Sequence, residues 1–141
     1  MKEMFSREEI LQTVHEVLKE FSDDPETSLE GEVEKFVAGE GDPYLLVDSL
    51  CEAAKRLAQR KGYQKEVYFH SVILPIDPDA YISGEDIAVV IVNEEGKCLT
   101  FKKHKWGDAS IAETFPMESV DDAVAMVDEL ARIILESQSQ S

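Results

Sequence analysis

Three histidines, two cysteines and one carboxylate-rich loop are the residues in this chain best suited to chemistry, and their spacing limits what each could do. His15, His70 and His104 form no H-x-x-x-H or H-E-x-x-H pair, so a metal site would have to be assembled from separate elements. His70 stands in an apolar run beside Tyr68, and with Tyr81 it outlines a pocket between sheet and helices that could hold a ligand or a general base. The plainer reading of His70 is a hydrogen-bonded core or edge histidine. Cys98 and His104 share a strand six residues apart; at about 3.4 Å per residue that is roughly 20 Å, too far for a thiolate–imidazole pair. Cys51 and Cys98 match no CxxC or zinc pattern and read as free thiols of a reducing compartment. The serines lie in caps, turns and the tail, with no G-x-S-x-G elbow.

The loop Asp77–Asp86 gathers the hard oxygen donors that calcium prefers, but neither register makes an EF-hand. Starting at Asp77 puts Ile82 where glycine is needed; starting at Asp79 puts Val90 where the bidentate glutamate belongs. A solvated turn is the simpler account. Gly39-Glu40-Gly41 lacks the third glycine of a phosphate loop and places a carboxylate where the phosphate would sit, so it reads as a connector. These residues assign no catalytic group, no cofactor and no metal.

The strongest local departure from the acidic composition is Lys102, Lys103, His104, Lys105 and Trp106. It reads either as an exposed strand whose lysines discourage edge pairing or as a basic and aromatic contact patch. Lys55, Arg56, Arg60, Lys61 and Lys65 would extend that patch, or would pair with the protein's own carboxylates.

The elements that must position these groups are marked by caps and periodicity. Ser6 and Glu9 have capping-box spacing, with Phe5 and Ile10 at the staple positions. Ile10, Val14, Val17, Leu18 and Phe21 then form an apolar stripe that ends before Pro25. A shorter helix carries Leu29, Val33, Phe36 and Val37. Asp42-Pro43 opens a third, with Leu46, Val47, Leu50, Ala54, Leu57 and Ala58 buried and Gly62 as its stop.

From Glu66 the pattern becomes extended. Glu66 to Leu74 is apolar on both faces and suggests a central strand, as does Asp86 to Val92. Asn93 to Lys97 reads as a hairpin connection in which Gly96 supplies a positive φ. Strands follow at Cys98–Trp106 and Ala109–Phe115, and Ser119 with Asp122 caps a final helix lined by Val120, Ala123, Val124, Val127, Leu130, Ala131 and Ile134. The expected fold is α+β: N-terminal helices, a four-stranded mainly antiparallel sheet built as a meander, and a C-terminal helix packed on it. Residues 1–136 form one domain and 137–141 a flexible polar tail.

The chain has 141 residues and a net charge of −16. Residues 1–54 carry 4 basic against 15 acidic groups, residues 106–141 carry 1 against 8, and residues 55–105 carry 9 against 7. Such a body is repelled by nucleic acid and anionic membranes, which favours a protein partner with a basic surface and leaves a homodimer open. No secretory h-region and no run of about 20 apolar residues is present, so a soluble, cytoplasmic protein is expected. In size, acidity and a capped C-terminal helix the chain resembles bacterial secretion chaperones and small immunity proteins. The helix that secretion chaperones place between groups of strands has no counterpart here, and no residue is carried over from either. The function expected is a non-enzymatic interaction domain, adaptor-, chaperone- or inhibitor-like. The alternative is a ligand-binding or enzymatic domain with its site near His70.

Overall fold

A computed structural model of the chain describes residues 4–74, 87–106 and 109–139. The Asp77–Asp86 loop, Tyr81 included, lies outside the described residues. Helix α1, Arg7–Phe21, starts where expected: the Glu9 N–H donates to Ser6 Oγ at 3.1 Å, and the staple residues Phe5 and Ile10 are both buried. Its stripe is one residue shorter than the pattern suggests, since Phe21 is 46% exposed. Helix α2, Leu29–Ala38, is capped by Ser28 and stopped by Gly39, whose φ of 73° suits the left-handed C-cap. It buries Leu29, Val33 and Phe36 but leaves Val37 outside. Helix α3, Pro43–Arg60, has Asp42 as N-cap and Pro43 in its first turn. It buries all six expected residues together with Cys51 and Ala53.

The sheet consists of β1 (Tyr68–Ile73), β2 (Ile87–Asn93), β3 (Cys98–Trp106) and β4 (Ala109–Pro116), side by side in chain order. β2–β3 and β3–β4 are antiparallel, whereas β1 runs parallel to β2, with Tyr68 opposite Ile87 and Ile73 opposite Val92. The sheet is therefore mixed, and the expected meander begins only at β2. A parallel pair needs a connection of about a dozen residues or more, and residues 74–86 supply that length. The expected central position of the first strand is also corrected. β1 is an edge strand, with Tyr68 58% exposed, and the strand that is buried on both faces is β2. Ala88, Val90 and Val92 face the helices, while Val89, alternating with them, is buried on the opposite face.

Helix α4, Val120–Ser139, completes the α+β fold, and its helical backbone continues into the expected tail as far as Ser139. The Asp122 N–H donates to Ser119 Oγ at 3.2 Å, and Asp122 Oδ2 accepts the Glu118 N–H at 2.9 Å. The core is one cluster in which Leu46, Leu50 and Leu57 of α3, Leu130 and Ile134 of α4, and Val90, Leu99 and Phe101 of the sheet are buried together. α3 touches α1, α2, α4 and β1, and α4 touches α1, α2, α3 and β4, so these two helices join the layer to the sheet.

Ion pairs fasten α1 to α3. Arg56 donates to both carboxylate oxygens of Glu20 (2.6 and 2.9 Å) and to Glu52 at 3.0 Å. Arg60 donates to Thr13 Oγ1 at 2.9 Å and lies 3.7 Å from Glu9. The guanidinium of Arg56 holds the Glu20 carboxyl below its usual range.

Candidate functional site

One concavity lies between α2 and the start of α4. It measures about 630 Å³ and is lined by Val33, Val37, Ala38 and Val120 together with Glu30, Glu34, Glu118 and Asp121. Local sequence explains its shape. α2 turns Leu29, Val33 and Phe36 inward, which leaves Val37, 36% exposed, on the groove side. Glu30 and Glu34 are four residues apart and so share one face of the helix. The opposite wall is fixed by the Ser119–Asp122 cap, which sets where α4 begins.

Among the described lining residues Arg7 is the only basic side chain, and it pairs with Asp121. The same two residues line a second groove of about 610 Å³ on the other side, with Ile10, Phe115, Val124, Ala125, Asp128 and Glu129. Part of this acidity has a purely helical cause. Glu30 and Asp121 lie in first turns, where the helix dipole favours carboxylates. That account does not reach Glu34, Asp128 or Glu129, which lie farther along α2 and α4. Asp128 accepts the Phe5 N–H at 3.0 Å, and Glu129 pairs with Arg132.

A smaller cleft of about 300 Å³ opens between α3 and β1, lined by Phe21, Asp48, Cys51, Glu52, Lys55, Val67, Tyr68 and Phe69. Ser71 Oγ donates to Asp48 Oδ1 at 3.2 Å. Lost hydration raises the Asp48 carboxyl above its usual range, the Ser71 hydroxyl partly opposes this, and the charge of Asp42 adds to it. The Cys51 thiol is buried and pushed far up, first by burial and then by the charges of Asp48 and Glu52. It is therefore a packing group rather than a nucleophile.

The residues singled out from sequence are dispersed. Tyr68 lines the α3–β1 cleft, whereas His70 is exposed on the edge strand β1 and outside that lining; Tyr81 lies outside the described residues. The exposed lysine strand is corrected too. Lys102 is partly buried on the face away from the helices, while Lys103 is fully buried on the same face as Leu99 and Phe101. For His104, Lys105 and Trp106 the structure describes the backbone alone. The cations near the end of α3 follow the alternative of local pairing. Arg56 and Arg60 engage Glu20, Glu52 and Glu9, Lys55 pairs with Glu66 at 3.3 Å, and Lys61 stands 5.6 Å over the Phe5 ring. Among the described residues no group of three or more His, Cys, Asp or Glu side chains could hold a metal ion. No described helix is long and apolar enough to cross a membrane. The groove was missed from sequence, although the fourth apolar residue of α2, Val37, was a signal of it.

No protein-family model matches the chain, and no curated protein or solved structure does either.

Proposed function

We propose that the protein is a non-enzymatic interaction domain that receives a basic, partly apolar segment of another protein in the groove between α2 and α4. The observation that carries this reading is the combination of accessible apolar side chains (Val37, Ala38, Val120) with four carboxylates in one concavity. Apolar floors supply affinity, and a rim of one charge sign steers an oppositely charged partner and rejects like-charged ones. The net charge of −16 works in the same direction at long range. The alternative, a small-molecule or enzymatic site near His70, has the α3–β1 cleft and the raised Asp48 carboxyl in its favour. That cleft is at the small end of ligand pockets, about 300 Å³. The His70 side chain does not line it.

The test is fluorescence anisotropy with a labelled amphipathic Leu/Arg peptide and a scrambled control of equal charge. The wild-type chain binds the amphipathic peptide more tightly than the scramble, and Val37→Asp and Glu34→Arg each weaken binding about tenfold or more. Equal binding by wild type and both variants rules the groove out as the site.

A further inference from the structure

We infer that Arg7 is a built-in competitor for the partner: it occupies the carboxylate that a partner arginine would use, and it divides one continuous acidic trough into two halves. The inference rests on the groove reading above and adds the chemistry of the occupant and a limit on its affinity. Arg7 and Asp121 line both concavities, one lined by Val33, Val37 and Val120 and the other by Ile10, Phe115 and Val124. Their ion pair lies at the junction of the two. Asp121 therefore already accepts a guanidinium, so the trough suits that group in particular. The fit is more specific than a cluster of like charges would give, because apolar side chains flank the pair on either side.

The pair is also exchangeable. The Arg7 side chain is 52% exposed and that of Asp121 78%, and ion pairs so wetted contribute little. A partner arginine can replace Arg7 on Asp121 without leaving a buried charge unpaired, since the released Arg7 swings into water. The segment that fits carries an arginine with aliphatic residues on both sides, one set for Val37 and Val120 and the other for Val124 and Ala125. Released Arg7 stays tethered at the start of α1, so its charge remains near the incoming arginine and modestly lowers the wild-type affinity through solvent.

The experiment uses the full chain with the same labelled Leu/Arg peptide at low and high salt. Arg7→Gln binds the peptide about two- to fivefold more tightly than wild type, in keeping with the modest worth of an exposed pair. Arg7→Gln also shows the steeper loss of affinity with salt. Arg7→Lys stays close to wild type because it keeps the charge. In an Asp121→Asn background Arg7→Gln brings a smaller gain, since the contested carboxylate is gone. Equal affinity of wild type and Arg7→Gln, or an undiminished gain in the Asp121→Asn background, overturns the competitor role alone. No binding by wild type or by Arg7→Gln overturns the groove reading beneath it. Matched thermal melts show that the variants are folded, as a change at an exposed first-turn position allows.

Discussion

The turn between β2 and β3 shows how one residue type can be required for a different reason from the obvious one. Glycine at position 96 suggested a positive φ, yet the left-handed residue is Lys97, at φ 53°. Gly96 is needed because the Asn93 side chain folds over it. Asn93 Oδ1 accepts the Gly96 N–H at 2.9 Å, and a Cβ on Gly96 would stand 2.8 Å from Asn93 Nδ2. Gly96→Ala therefore displaces the Asn93 amide and costs about 1 kcal/mol, measured by denaturant melts. The same substitution in an Asn93→Ala background costs less, because the clash and the hydrogen bond are already gone. Asp48 gives a residue-scale prediction of the opposite sign. Its folded-state carboxyl titrates above the ordinary 3.8, so folding disfavours the ionised form. The penalty is absent below the unfolded value, where both states are protonated, and develops as pH rises through the folded value. Asp48→Asn keeps an acceptor for Ser71 and removes the charge. The variant melts higher than wild type at about pH 7, and the two converge toward about pH 3. An advantage that persists at the acid end would trace the effect to something other than ionisation.

At the scale of elements, what is local in sequence was legible and what is distant was not. Helix starts at Ser6, Asp42 and Ser119 are written within a few residues, because a cap and its N–H partner lie two or three positions apart. The direction of β1 has no such local mark. Parallel and antiparallel pairing with β2 bury the same alternation of Phe69 and Ile73, and the choice is made by a long connection rather than by the strand. Its edge position was hidden for a related reason: Tyr68 and Val72 look equally apolar in sequence, but one is exposed and the other buried. The α4 cap offers the element-scale test. Ser119 accepts the Asp122 N–H and in doing so fixes the first turn that forms one wall of the groove. Ser119→Ala costs about 1 kcal/mol of stability. It also weakens peptide binding, although position 119 carries no charge, because the positions of Val120 and Asp121 follow from that turn. Calorimetric melts and the anisotropy assay, run on the same sample, check both halves.

For the whole molecule the governing quantity is charge distribution, and here the sequence was informative about polarity but silent about place. The excess of 11 carboxylates over cations in residues 1–54 was evident. Which of them are spent within the protein was not, since Glu20, Glu9 and Glu16 are matched to Arg56 and Arg60 only by the folded arrangement. The unmatched balance repels itself, and salt acts on that repulsion and on partner attraction with opposite consequences. At about 0.01 M salt the Debye length is near 30 Å, longer than the separation of most surface charges in a domain of this size. At about 0.3 M it falls below 10 Å, and the net self-repulsion of a −16 body is largely screened. The α1–α3 ion pairs are screened as well, but they act at contact distances of 2.6 to 3.7 Å, where screening removes least. Added sodium chloride therefore raises the melting temperature by a few degrees over this range while it lowers affinity for the basic peptide. A melting temperature that falls with salt would mean that the ion pairs outweigh the repulsion. An affinity that does not respond to salt would leave only the apolar floor of the groove to account for binding.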